Sequence, residues 1–150
     1  MADRGFTVRA LGEIAIRCRD LEAMTAFYRD IIGLEVLKGF HREGIVFFRI
    51  AAGYGGHTCV LALFGPDAGN ETLHPRGVPQ GAATSSLHHL ALTVGRTEQD
   101  RAVEWYRKNG IETKIQEFAW IGWRGVFTTD PEGNTVELVA YDADAARTAP

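Results

Sequence analysis

A chain of 150 residues with net charge -3 and 23% charged residues lacks the basic surplus expected of a nucleic-acid-binding or anionic-membrane surface. Its 45% hydrophobic content fits a globular protein, and no apolar run is long enough to span a bilayer. The N-terminal MADRGFTVRA has no apolar segment of the kind a signal peptide carries, so a cytoplasmic location is expected. Cys18 and Cys59, the two cysteines, both fall in apolar runs. Buried free thiols are therefore expected rather than a disulfide or a metal pair.

In chain order, the first strand-like run is LGEIAIRC, residues 11–18. Alternation places Glu13, Ala15 and Arg17 on one face and Ile14, Ile16 and Cys18 on the other, under a helix. DLEAMTAFYRDIIG follows, with Asp20 as cap and Gly33 as stop. Leu21, Met24, Phe27, Tyr28 and Ile31 form its apolar stripe. Three strand-like runs come next: LEVLKGF, GIVFFRIA and HTCVLALF, the last two joined by the long glycine-rich AAGYGGH. Residues 65–86 hold three of the five prolines and read as a linker, with a lid as the other reading.

The rhythm then repeats. LHHLALTV, residues 87–94, matches LGEIAIRC, and as a strand it turns His89, Ala91 and Thr93 to one face and His88 to the other. The helical run TEQDRAVEWYRKNG has a capping-box-like start at Thr97 and Asp100, a stripe through Ala102, Trp105 and Tyr106, and a stop at Gly110. IETKIQEF, WRGVFTT and NTVELVAY are the closing strands, the last two joined by DPEG, where Pro131 and Gly133 suit a hairpin turn. The organisation expected is one domain over 1–150. Module one covers about 8–64, the linker 65–86 and module two about 87–141, with a C-terminal tail over 142–150 as a frayed end.

Three stretches carry a family resemblance from about Leu11 to Tyr141. IAIRCRDLEAMTAFYRDIIGLEV resembles the first strand and helix of the vicinal oxygen chelate superfamily, the group of glyoxalase I, bleomycin-resistance proteins and extradiol dioxygenases. LHHLALTV is similar to the first strand of that family's second module, and DPEGNTVELV to its final hairpin. The resemblance implies an α+β fold of two βαβββ modules whose curved mixed sheets enclose a metal and substrate cavity. It also implies a small-molecule substrate and a homodimer. One divalent metal ion is implied, with Mn, Fe, Mg, Ni and Zn not distinguished. Carried over by position, the metal ligands are Glu13, His89 and Glu137, and the fourth position falls on Ala62, which has no donor atom.

Taken singly, each of these three polar residues reads as structural; their corresponding places in a repeat make the metal reading the stronger one. Two carboxylates neutralise a divalent ion and favour the harder metals. Glu13 stands where a ring-cleaving dioxygenase of the family has a histidine, so isomerase or lyase chemistry is favoured over dioxygenase chemistry. Glu13 and His57 are the candidate catalytic groups, His57 as a general acid or base on a loop able to swing over the cavity. Tyr54, Trp120, Trp123 and Arg124 are candidate pocket residues, although core packing accounts equally well for the tryptophans. His41 and His74 fall in turns or linker and receive no role. The alternative reading is a metal-free protein that binds or sequesters a small molecule, in the manner of bleomycin-resistance proteins.

Overall fold

The computed structural model describes residues 8–38, 43–68 and 87–142, and the chain divides into two units, Met1–Gly77 and Val78–Pro150. The linker expected over 65–86 lies outside the described residues from position 69 onward, as do the tail from 143, His41 and His74.

In the first unit, β1 (Glu13–Arg17) leads into α1 (Leu21–Ala26), and β2 (Glu35–Val36), β3 (Ile45–Tyr54) and β4 (His57–Phe64) complete a four-stranded sheet of order β1-β4-β3-β2. Asp20 caps α1 as expected, its Oδ1 accepting the Ala23 N–H at 2.9 Å. The helix does not continue in α geometry: Phe27–Ile31 forms a π turn, with the Ile32 N–H donating to the Phe27 carbonyl at 3.0 Å. That widened turn lets two sequential aromatics, Phe27 and Tyr28, both be buried, their rings T-shaped at 5.3 Å. Gly33, at φ 85°, ends the segment.

β1 runs parallel to β4, with Ile14 opposite Leu61 and Ile16 opposite Leu63. The other face carries Glu13, Ala15 and Arg17 beside Val60, Ala62 and Phe64. The long loop expected at AAGYGGH is instead a tight hairpin. β3 extends to Tyr54, the turn is Gly55–Gly56 at φ 62° and 86°, and Tyr54 pairs with His57. Two successive positive φ angles are what a two-residue hairpin turn of matching twist requires. Gly53 takes up the register shift: a Cβ there would lie 1.9 Å from the His57 carbonyl oxygen.

The second unit repeats the plan with β5 (Leu90–Thr93), α2 (Arg96–Lys108), β6 (Lys114–Phe118), β7 (Trp123–Thr129) and β8 (Thr135–Tyr141) in the order β5-β8-β7-β6. Here α2 starts earlier than Thr97 and Asp100 suggest. Gly95 is the cap, and its N–H donates to Glu98 Oε2 at 2.6 Å, which leaves Thr97 inside the helix and Asp100 free to pair with Arg124. Buried Gln99 ties helix to sheet by donating to the Arg124 and Leu138 carbonyls at 2.7 and 2.8 Å. The DPEG turn is held by a residue the sequence reading left unassigned: Asp130 accepts from the Glu132 and Asn134 backbone N–H groups at 2.9 and 3.0 Å. Both sheets are mixed, each with one parallel and two antiparallel pairings, which is the glyoxalase-like α+β arrangement. Cys18 and Cys59 are buried and are not joined in a disulfide, and the Cys18 thiol donates to the Phe64 carbonyl at 3.3 Å. Among the described residues, no helix is long and apolar enough to cross a membrane.

Candidate metal centre

The pairing of β5 with β8 decides which side chains meet. Leu90 and Leu92 stand opposite Val136 and Leu138, all four buried on one face. Ala91 stands opposite Glu137 on the other face. Ala91 therefore leaves lateral room beside Glu137. In the first unit the corresponding register sets Ala15 opposite Ala62, so Ala62 and Glu137 occupy equivalent points of the two sheets.

Glu137 is an acidic side chain in an apolar place, with only 6% of it exposed. Gly125 and Phe127 of β7 make that place. A Cβ on Gly125 would lie 2.5 Å from Glu137 Oε1, so glycine is what lets the carboxylate lie across the strand. The Phe127 residue is the cross-strand partner of Glu137, and its ring meets the His89 ring edge-on at 6.4 Å. The partner of the carboxylate is His89, whose Nε2 is 3.1 Å from Glu137 Oε2. An imidazole and a carboxylate brought this close are both donors that would hold a divalent metal ion. A nearly dry carboxylate is also costly without a compensating cation or hydrogen bonds. The pair thus fits a divalent metal in chemistry and spacing. Among the described residues of either unit, no three His, Cys, Asp or Glu side chains form a complete set.

His88 departs from the expected alternation. Residues 87–89 precede β5, so no ladder forces successive side chains apart. The two rings meet T-shaped with centroids 5.0 Å apart, and Nδ1 of His88 lies 2.7 Å from Nδ1 of His89.

The remaining candidates are dispersed. Glu13 is exposed at the start of β1. The His57 ring lies against Gly12, its Cε1 3.3 Å from where a Cβ would stand, on a hairpin rather than a loop. Tyr54 is exposed beneath the Arg9 guanidinium, 5.8 Å from its ring centre. Arg124, expected to line the pocket, instead faces α2: its guanidinium reaches Asp100 at 2.8 Å, and it pairs across the sheet with Ala140 rather than with the Glu137 row. Hydrogen bonding to Arg124 also holds the Asp100 carboxyl below its ordinary value. Trp123 does share the Glu137 row, 47% exposed, whereas Trp120 is 75% exposed on a single 3-10 turn. Sequence reasoning missed Gly125, Phe127 and His88. It also missed a depression of about 820 Å³ in the second unit, bordered by Lys114, Gln116, Phe127 and Thr135. Alternation along WRGVFTT does put Gly125 and Phe127 on one face, but only the register with β8 makes it the face of Glu137.

Two βαβββ units, one with a histidine just ahead of its first strand paired with a carboxylate on its last, define a glyoxalase-like protein. The family model of the Glyoxalase/Bleomycin resistance protein/Dioxygenase superfamily matches residues 10–138, and the chain belongs to that superfamily. It is 32% identical over 133 residues to the uncharacterized Bacillus subtilis (strain 168) protein YwkD, covering 87% of this chain and 96% of that one. It is similar in fold to lactoylglutathione lyase from Agrobacterium tumefaciens, with TM-score 0.62, 25% identity, and 89% and 95% of the two chains covered. A variant of the fosfomycin resistance protein FosX from Listeria monocytogenes, complexed with Mn(II) and 1S,2S-dihydroxypropylphosphonic acid, has TM-score 0.62 at 21% identity, with 95% and 98% covered.

Proposed function

We propose that this protein is a divalent-metal-dependent enzyme acting on a small substrate that presents two adjacent oxygens, with isomerase or lyase chemistry. The observation that carries the reading is the buried Glu137 carboxylate with His89 Nε2 at 3.1 Å. In this reading His89 and Glu137 are two metal ligands within the second unit. When bound, the metal supplies Lewis-acid stabilisation of an enolate or oxyanion. Glu137 holds negative charge in place, and Phe127 and Gly125 keep that carboxylate from solvent. His57, packed on the residue before Glu13, is the proposed proton-transfer group. The depression beside Phe127, with the exposed face of Trp123, is the proposed substrate surface. A cytoplasmic homodimer without nucleic-acid or membrane partners completes the proposal.

Ala62 favours a second reading, a metal-free protein that binds a small molecule, because it leaves the position equivalent to Glu137 without a donor. Thermal unfolding after dialysis against a chelator separates the two. A metalloprotein regains stability on adding Mn(II), by about 3 kcal/mol when the free ion is a hundredfold above its Kd. Identical unfolding with and without chelator and metal supports the binding protein.

A further inference from the structure

We propose that His88 is a positioning residue for His89, holding its ring through an Nδ1–Nδ1 hydrogen bond so that Nε2 is the atom presented beside Glu137. The consequence for metal affinity rests on the metal reading above; the imidazole pair itself does not.

Two ring nitrogens 2.7 Å apart form a hydrogen bond only if one carries a proton and the other a lone pair. Without metal, the neighbouring carboxylate selects the tautomer. His89 carries its proton on Nε2 and donates it to Glu137 Oε2 at 3.1 Å, which leaves Nδ1 as acceptor and makes His88 the donor. With a cation on Nε2, the His89 proton must sit on Nδ1, and the same contact survives with its direction reversed. His88 then accepts at Nδ1 and carries its own proton on Nε2. Each neutral ring holds one proton in both states, so the pair exchanges tautomers without gaining or losing any. Phe127 also meets the His89 ring edge-on, so rotation of the imidazole is constrained by an aromatic contact and a hydrogen bond together. An outer partner for the second ring nitrogen is what a ligating histidine ordinarily needs, and loss of one typically costs about 10–100-fold in metal affinity. The sequence neighbour can fill that place because residues 88 and 89 lie ahead of the β5 ladder.

The test uses the full-length protein labelled with ¹⁵N-histidine, at a pH of about 8. Two-bond ¹H–¹⁵N correlation assigns the protonated nitrogen of each ring, first metal-free and then with Zn(II) as a diamagnetic probe. Zn(II) affinity is measured in parallel by chelator competition for wild type, His88→Ala and His88→Asn. The expected result is His88 protonated at Nδ1 and His89 at Nε2 without metal, with both switching when Zn(II) binds. His88→Ala should bind Zn(II) about 10–100-fold more weakly. His88→Asn, whose amide offers either a donor or an acceptor, should recover most of the loss. A His88 tautomer that ignores Zn(II) while His89 switches, or an unchanged affinity in His88→Ala, overturns the proposal. If wild type binds no Zn(II), the metal reading fails, and the metal-free spectrum alone decides: Nδ1–H on His88 upholds the imidazole pair, and its absence overturns it.

Discussion

At the scale of single residues, the site depends on what is missing as much as on what is present. Gly125 has no Cβ, and Glu137 Oε1 occupies the space one would take. Gly125→Ala should therefore push the carboxylate and the Phe127 ring aside, destabilise the fold by about 1–3 kcal/mol as overpacking does, and weaken metal binding more than tenfold. Urea unfolding and metal titration of the same variant check both effects, and unaltered metal affinity would show that the carboxylate position is not set from β7. Tyr106 makes an opposite case. Its hydroxyl is buried in α2 without a hydrogen-bond partner among the described residues, and burial pushes its pKa from 10.0 up to about 12. Because the folded state holds this proton more tightly than the unfolded state, the contribution from Tyr106 is constant below pH 10 and is lost as pH rises toward about 12. Tyr106→Phe should stabilise the protein by about 1 kcal/mol at neutral pH, since it removes an unsatisfied buried hydroxyl. It should also flatten the alkaline fall relative to wild type. Denaturation at several pH values tests this, and a loss of stability in Tyr106→Phe would reveal a partner for that hydroxyl.

At the scale of elements, α2 and its sheet are joined by polar side chains as well as by apolar packing: Asp100 pairs with Arg124 at the surface, and Gln99 bonds to two strands from the interior. Gln99 donates from a fully buried amide to carbonyls of both β7 and β8. Gln99→Leu keeps the volume and removes both bonds, so it should cost about 3 kcal/mol and lower the melting temperature by about 6–12 °C. A change under about 0.5 kcal/mol, within the range of an ordinary surface substitution, would mean that the Gln99 hydrogen bonds contribute little to holding the helix. Elements were also where the sequence spoke most clearly. The bounds of β4 and β7 coincide with HTCVLALF and WRGVFTT, because short apolar runs between glycine-rich or turn-forming flanks leave little freedom. The repeat of strand, helix and three strands was equally readable, from matching periodicities. The π turn was not, since its apolar stripe is the same as that of a regular helix. AAGYGGH misled because glycines that look like loop flexibility supply the positive φ angles of a tight hairpin. Of the site, alternation grouped His89 with Ala91 and Thr93 and the family resemblance supplied Glu137, whereas Gly125, Phe127 and His88 came into view through cross-strand register and through backbone outside any ladder.

At the scale of the molecule, membership of the glyoxalase superfamily restricts the fold far more than the reaction. What separates an enzyme from a binding protein here is whether the buried Glu137 is matched by a cation. Removal of metal should leave a protein that still folds, because each sheet has its own apolar core against its helix, but that melts lower and regains its stability on adding Mn(II). The most direct test is elemental analysis of purified wild type and His89→Ala after loading with divalent metal and removal of excess ion. Close to one metal ion per chain in wild type, lost in His89→Ala, is the result expected. No bound metal under any loading condition, or full occupancy retained in both His89→Ala and Glu137→Ala, would contradict the assignment of this pair as a metal centre.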